Sequence, residues 1–299
     1  MRKRSNKIRM GKSWEAYAFL MPWMIGLLAF TIIPMMMSLY FSFTRYDMAN
    51  PPRWIGWENY INVFTDSRAR NSLRVTFTFV FLSVPFQLCF ALLLASVFKK
   101  NRRGISIYRA IYYLPSLLGG SVAVALLWRN MFGRDGFINR FLYIIFGIEG
   151  RSWIGHPDTA LYTLVALALW QFGGSMVIFL GGLKNISTDY YEAAEIDGAN
   201  RVQLFLRITM PLLTPMIFFN LVMNIIGAFQ AFTSAFIVSG GGGGPVDSTM
   251  FFSLLLYIRA FEQFNMGLAS AMAWVLLLII GFFTVINFAL SKKWVHYDE

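Results

Sequence analysis

The stretch YYEAAEIDGANRVQLFLRITMP, residues 190–211, separates two long apolar runs of the chain. The flanking sequence is almost wholly apolar, whereas this stretch carries several charged residues, among them Glu192, Glu195, Asp197 and Arg201. It is too polar and too short to cross a bilayer, while the runs on either side are long enough. The stretch therefore marks a loop between two membrane spans.

Composition places the whole chain in the membrane class. Of its 299 residues, 57% are hydrophobic and only 14% are charged, whereas about a quarter of a soluble domain is charged. The one cysteine, Cys89, lies in an apolar run, and there are only two histidines. We therefore expect no disulfide, no metal bound by this chain and no histidine-based chemistry.

Six uncharged stretches predict membrane spans. Each is long enough to cross a hydrocarbon core of about 30 Å at about 1.5 Å per residue. The first is about twice the apolar length of a secretory signal, so we expect it to be retained. The prediction is an all-α polytopic membrane protein, with one transmembrane domain over residues 1–299. The predicted spans are 16–44, 75–98, 110–128, 159–183, 208–239 and 265–291.

The distribution of Lys and Arg predicts the orientation. Fifteen lie in segments on the side of both termini, and eight lie in the longer loops on the other side. The positive-inside rule then puts both termini in the cytoplasm. This accounts for the net charge of +11 without nucleic acid. The predicted cytoplasmic segments are 1–13, 99–106, 184–207 and 292–299, and the outer loops are 45–73, 133–157 and 240–260.

The outer loops carry further local signals. Trp54 and Trp57 suit the membrane–water interface, and FINRFLYIIFGI (137–148) predicts a helix at the membrane surface. The glycine run SGGGGGPVDST (239–249) predicts a turn, because no Lys-Ser/Thr follows it as in a phosphate loop. MFFSLLLYIRAFEQF (250–264) predicts a short helix before the last span.

The polar residues inside the predicted spans are mainly amides. No Asp, Glu, Lys, Arg or His lies within the limits given above, so an uncharged cargo is favoured over an ion-coupled carrier. Amides beside aromatic rings suit a hydroxyl-rich solute; the alternative is that they join the helices by hydrogen bonds. The candidate pathway residues are Gln171, Asn220, Asn224, Gly227, Phe229 and Gln230.

TDYYEAAEIDGA (188–199) predicts a helix of about nine residues with both ends marked. Asp189 is the expected N-cap with Glu192 three residues on, and Gly198 is the expected left-handed C-cap. A helix of this length is marginal in water and must be held by contact. Two interpretations are open. The helix is either a contact site for another protein or part of a structural loop in which Glu192 only caps the helix.

The same stretch resembles the EAA loop of ABC importer membrane subunits. That motif is Glu-Ala-Ala, three residues, Gly, nine residues, Ile, two residues and Pro; the one departure is Met210, where the family usually has Leu. PWMIGLLAFTIIPMMMSLYFSFTRYD, YYLPSLLGGSVAVALLWRNMF, GGGP with a following ST, and MGLASAMAW are also similar to sugar permeases of the maltose-transporter class. The matching EAA positions are Glu192, Ala193, Ala194, Gly198, Ile208 and Pro211.

The resemblance implies a type I ABC importer permease of a bacterial cytoplasmic membrane, itself without catalytic activity. In that family the EAA helix docks on a cytoplasmic ATPase. Glu192 and Asp197 would then belong to the contact, Ala193 and Ala194 would allow close approach, and Gly198 would make the turn. The implied partners are a second, homologous but different permease, two ATPase subunits that bind ATP and Mg, an extracytoplasmic solute-binding protein, membrane lipid and a carbohydrate cargo. The alternatives are a glycerol-phosphate or polyol importer and an ATP-independent carrier.

Overall fold

The structure is a computed structural model that describes residues 13–99 and 103–296. The basic N-terminus, the basic turn before span 3 and the C-terminal tail therefore lie wholly or partly outside the described residues. Within them the chain is almost entirely helical, apart from one short two-stranded sheet. This confirms the all-α prediction.

Within residues 13–99 and 103–296, five helical stretches are long and apolar enough to cross a bilayer. These are Tyr17–Ser42, Ser67–Phe98, Pro157–Asn185, Arg201–Phe229 and Met266–Trp294. A sixth crossing requires Ile105–Leu118 and Val122–Met131 to act together, and these two helices meet at an angle of 102°. The prediction of a single third span over 110–128 is therefore wrong in shape, because hydropathy measures apolar length and not direction.

The elements are numbered in chain order, with π-helical turns at Leu28–Ile32, Phe205–Thr209 and Ile258–Glu262 and a 3-10 turn at Pro245–Asp247. The first half of the chain contains α1 (Ser13–Leu27), α2 (Ile33–Ser42), β1 (Thr44–Arg45), β2 (Arg53–Trp54), α3 (Glu58–Thr65), α4 (Ser67–Phe98), α5 (Ile105–Leu118), α6 (Val122–Met131) and α7 (Phe137–Phe146). The second half contains α8 (Pro157–Trp170), α9 (Gly173–Asn185), α10 (Thr188–Ile196), α11 (Arg201–Leu204), α12 (Met210–Phe229), α13 (Thr233–Ser239), α14 (Phe252–Tyr257) and α15 (Met266–Trp294).

The fifth span differs from its prediction at both ends. It was expected over 208–239, but the long helix runs from Arg201 to Phe229 and α13 is a separate helix. Residues 201–207, which were expected in the cytoplasmic segment 184–207, are therefore the start of this span. The predicted surface helix (α7) and the predicted helix before span 6 (α14) are both present.

Two of the π-helical turns lie one turn before a proline. Proline lacks the N–H that would bond the carbonyl four residues earlier, and its ring clashes with that carbonyl. For Pro34 that carbonyl belongs to Phe30, inside the first π turn, and for Pro211 it belongs to Arg207, inside the second. The wider turn relieves the clash, so the long helix continues through Pro211 instead of starting there.

Helix α4 lies at the centre of the described structure. The residues of its first half, such as Phe79, pack with α14 and α15 in one buried cluster. Those of its second half, such as Val84, pack with α9 and α12 in another. Both clusters thus depend on one continuous helix of 32 residues.

Close approach between α5 and α9 is made possible by Gly173. A Cβ built on Gly173 would lie 2.6 Å from the carbonyl oxygen of Tyr112 and 2.8 Å from Cα of Tyr113. These are backbone atoms, so they cannot move aside cheaply. The neighbouring Gly174 has nothing within 4 Å of such a Cβ.

We predict that Gly173→Ala destabilises the folded protein by about 1–3 kcal/mol, because the added methyl overpacks a helix contact. The matched control Gly174→Ala should be neutral or slightly stabilising, since Ala exceeds Gly in helix propensity by roughly 1 kcal/mol. Unfolding by SDS titration in detergent micelles measures both. Equal midpoints for the two variants would contradict the assigned contact.

Candidate functional site

Three interruptions between consecutive helices lie beside one cavity. The breaks are residues 119–121 between α5 and α6, residues 171–172 between α8 and α9, and residues 230–232 between α12 and α13. Each contributes to the wall of a cavity of about 390 Å³. Broken helices expose backbone polar groups, and at membrane depth these are tolerated where they line a cavity.

The cavity wall combines hydroxyls and amides with apolar and aromatic side chains. It contains no Asp, Glu, Lys, Arg or His among its lining residues. Such a wall offers hydrogen bonds and flat apolar surface but no charge. The polar lining residues are Ser83, Gln87, Ser121, Gln171, Asn224, Gln230, Thr233 and Ser234, and the larger apolar ones include Phe79, Leu164, Leu167, Met223 and Phe232.

Side chains satisfy several carbonyls that the breaks leave open. Gln171 Nε2 donates to the carbonyl oxygen of Gly119 at 3.0 Å, and Gln87 Nε2 donates to that of Gln171 at 3.4 Å. The hydroxyl of Ser253 donates to the carbonyl of Ala231 at the third break. The breaks are therefore built features held by side chains from other helices.

Four of the six predicted pathway residues line the cavity: Gln171, Asn224, Gly227 and Gln230. The side chain of Asn224 also donates to Ser175 Oγ on α9 at 3.0 Å. Asn224 therefore fits both interpretations of the span amides, because it faces the cavity and also joins two helices. Gln230 is exposed, and its side chain has no hydrogen-bond partner among the described residues.

The other two predicted pathway residues lie away from the cavity. Phe229 is buried and packs its ring at 5.4 Å from those of Phe77 and Phe283. It follows Asn224 by five residues, which on a helix places it roughly 140° around the axis. Asn220 is also buried and donates to the carbonyl of its own helix at Met216.

Sequence reasoning missed five polar lining residues: Ser83, Gln87, Ser121, Thr233 and Ser234. The pair Gly119–Gly120 before Ser121 was an available signal, because glycine pairs mark breaks. Gln87 stood out as an amide in an apolar span. No local signal distinguishes Ser83, because serines in membrane helices commonly bond within their own helix.

Helix α10 coincides with the predicted nine-residue helix, and none of its residues is buried. Ile196 is 87% exposed, and Tyr190 and Val202 are also exposed apolar side chains on this part of the surface. Glu192 is exposed and makes no hydrogen bond or ion pair within the described part of the chain. A short exposed helix with apolar tips has the character of a protein-docking surface.

The start of α10 corrects one prediction. Its N-cap is Ser187, whose hydroxyl accepts from the backbone N–H of Asp189 at 3.3 Å. Asp189 is therefore not the N-cap. It is an acidic residue of the first turn, where its negative charge interacts favourably with the positive end of the helix dipole. Glu192 lies too far into the helix to cap it, which removes the capping interpretation of that residue.

The end of α10 is closed as predicted by Gly198, which has φ of +82°. The N–H of Gly198 bonds the carbonyl of Glu195 at 3.0 Å, and that of Ala199 bonds the carbonyl of Ala194 at 2.9 Å. This is a Schellman cap. The next helix begins with a capping box of Asn200 and Gln203, a signal that the sequence held and that we missed.

Several EAA positions surround one groove between α10 and the following helix. The groove has a volume of about 310 Å³ and includes Ala194, Asp197, Gly198 and Ile208 in its wall. The left-handed turn at Gly198 folds α10 back toward Ile208, which explains why the motif spaces these residues as it does. Glu192 and Ala193 lie on the exposed side of α10.

Comparison with known proteins identifies the family. Residues 64–296 match the family described as binding-protein-dependent transport system inner membrane component. The chain belongs to this family. The permease is thus a multi-pass inner-membrane component of an ABC transporter without catalytic activity of its own, as predicted from the EAA resemblance.

Individual relatives cover nearly the whole permease. It is 53% identical over 299 residues to YesP of Bacillus subtilis, a probable ABC transporter permease protein, with 99% of this chain and 96% of YesP covered. It is 28% identical to the trehalose/maltose transport system permease protein MalF of Thermococcus litoralis, with 96% and 97% covered. A bacterial alginate ABC transporter solved with an alginate pentasaccharide-bound periplasmic protein shares the fold, with a TM-score of 0.80 at 21% identity and 94% and 95% covered.

We predict that Ser187→Ala loosens α10 by about 1 kcal/mol, the usual value of an N-cap hydroxyl. Amide hydrogen exchange over residues 188–196 should then accelerate by about fivefold. The control Asp189→Ala keeps the Ser187 cap and should change exchange much less, since a first-turn charge contributes only about 0.3–1 kcal/mol. A larger effect for Asp189→Ala than for Ser187→Ala would restore Asp189 as the cap.

Proposed function

We propose that the permease moves an uncharged carbohydrate, in the first place an oligosaccharide, through the cavity at the three helix breaks. The observation that carries this is the wall itself, which offers amides, hydroxyls and aromatic surface without an ionisable group. Hydroxyl-rich solutes are recognised by such combinations. The names of relatives such as the trehalose/maltose permease support the same class of cargo.

The driving force is proposed to come from two partner ATPase subunits that bind ATP and Mg. Helix α10 is the proposed contact, because it is short, capped at both ends and has no buried residue. To shift the population ratio of a transporter's two conformations from 1:99 to 99:1, a partner must bind one conformation more favourably than the other by about 5.5 kcal/mol. Closure of two ATPase subunits on α10 and its counterpart would supply it.

The remaining assembly follows from this assignment. Helix α10 and both termini are proposed to face the cytoplasm, where ATP is available. A second permease, homologous but different, would bring the other docking helix. An extracytoplasmic binding protein would deliver the cargo, as supported by the alginate transporter solved with its periplasmic protein.

Glycerol-phosphate or another polyol is the second candidate cargo. A phosphate is usually held by Arg or Lys, and neither lines the cavity. An ATP-independent carrier is the candidate from another class, and it would have no use for an exposed, doubly capped helix. Both candidates are tested by the variants below.

We predict that Glu192→Lys and Gly198→Pro each lower ATP-driven sugar uptake by about tenfold or more. The first reverses a charge on the docking face, where a like-charge contact costs several kcal/mol. The second removes the left-handed turn, which proline cannot adopt. Uptake into proteoliposomes that contain the complete transporter is the measurement, with membrane insertion checked by protease protection.

The matched control is Glu149→Lys, which makes the same charge reversal on an exposed residue outside the docking helix. It should leave uptake unchanged. Normal ATP-driven uptake by both the Glu192 and the Gly198 variant would overturn the coupling role of α10.

We also predict that Asn224→Leu changes sugar uptake or selectivity, whereas Ser175→Ala does not. Asn224 faces the cavity and also donates to Ser175; the serine variant removes only the bond between helices. That bond contributes about 0.6 kcal/mol on average in membrane proteins. Competition by unlabelled sugars and by glycerol phosphate measures selectivity. Equal effects of the two variants would mean that Asn224 acts only between helices.

A further inference from the structure

One side chain of α10 faces the membrane helices. Tyr191 is half-buried, while most of α10 is exposed. Among the described residues it is the one α10 side chain that bonds to another part of the fold. Its hydroxyl lies 3.0 Å from Thr209 Oγ1, and the Nζ of Lys99 lies 4.2 Å from the centre of its ring.

The two partners of Tyr191 belong to two different spans. Lys99 directly follows α4, and Thr209 lies in the π-helical turn of the long helix Arg201–Phe229. Thr209 is buried, and it sits in the widened turn that Pro211 imposes. Tyr191 therefore bridges the ends of two helices that both reach the cavity.

Helix α4 continues this connection through the molecule. Its 32 residues extend about 48 Å at about 1.5 Å per residue. Its middle part supplies Phe79, Ser83 and Gln87 to the cavity wall. The helix is unbroken between its cavity-lining residues and Lys99, although Pro85 lies inside it, so we expect a displacement at Lys99 to reach the cavity.

Both ends of α4 are held by ionic groups. At its C-terminal end the guanidinium of Arg109 donates to the carbonyl of Phe98. At its N-terminal end Arg68 makes two bonds to Asp247, at 2.9 and 3.0 Å, in the glycine-rich loop. Asp66, the N-cap of α4, pairs with Arg259. The helix thus connects α10, the cavity and the loop before the last span.

We propose that Tyr191 is a positioning residue that transmits the movement of α10 to α4 and to the long helix Arg201–Phe229. The hydroxyl holds Thr209, and the ring holds the Lys99 ammonium. This inference rests on the proposed coupling function of α10. Docking of the ATPase and transmission of its movement would then use different faces of α10.

The test measures sugar taken up per ATP hydrolysed by the complete transporter in proteoliposomes. Tyr191→Leu removes both contacts and lowers this ratio about fivefold, while ATPase copurification is unchanged. Lys99→Met and Thr209→Val each remove one contact and lower the ratio about twofold. Lys99→Arg and Thr209→Ser keep the cation or the hydroxyl and restore the wild-type ratio.

Two further variants separate transmission from general damage. Tyr143→Leu removes an exposed tyrosine of α7, and it leaves the ratio unchanged. In the double variant Lys99→Met with Tyr191→Leu the ratio falls no further than in Tyr191→Leu alone, because both act through one contact.

The outcomes distinguish this inference from the function on which it rests. A wild-type ratio in Tyr191→Leu, with uptake lost in Glu192→Lys, overturns the role of Tyr191 and leaves coupling through α10 intact. Normal ATP-driven uptake in both variants overturns the proposed function as well. Equal losses in Lys99→Arg and Lys99→Met overturn the cation–ring contact.

Discussion

Every backbone N–H and C=O within a bilayer needs a partner inside the protein, and the architecture of this permease depends on that constraint. The helix pairs α5–α6, α8–α9 and α12–α13 are each interrupted beside the cavity, which leaves carbonyls such as those of Gly119 and Ala231 without helical partners. Gln171 and Ser253 supply donors to them. The cavity exists because these breaks meet, and its polar wall follows from the groups that the breaks and their partners leave at its surface.

The helices around the cavity differ in whether they are interrupted. Three helix pairs are interrupted beside the cavity, whereas α4 continues over 32 residues and through Pro85. It takes part in both buried clusters and passes the cavity between them. Its middle part lines the cavity, and its C-terminal end lies at Lys99. The contact between Tyr191, Lys99 and Thr209 places that end against α10.

Local signals predicted α10 better than they predicted the cavity. Gly198 caps the helix as expected because a left-handed turn is a property of a few adjacent residues. The N-cap lies two residues before the predicted one, because Ser187 and Asp189 are both residue types that cap helices well. Asn224, Gly227, Gln230 and Gln171 reach the cavity, but Phe229 does not, because it lies roughly 140° around the helix from Asn224 and packs on Phe77 and Phe283.

The sequence by itself determined the class of protein, the apolar spans, the nine-residue helix between two of them and, through the EAA spacing, the family. These depend on apolar length and on signals within one or two turns. Only the tertiary structure decided that helices are interrupted at residues 119–121, 171–172 and 230–232 and that these interruptions meet at one cavity. The bond from Gln171 to Gly119 joins residues 52 positions apart, and that from Tyr191 to Thr209 depends on the π turn before Pro211. Such contacts arise from the packing of whole helices, which no short stretch of sequence contains.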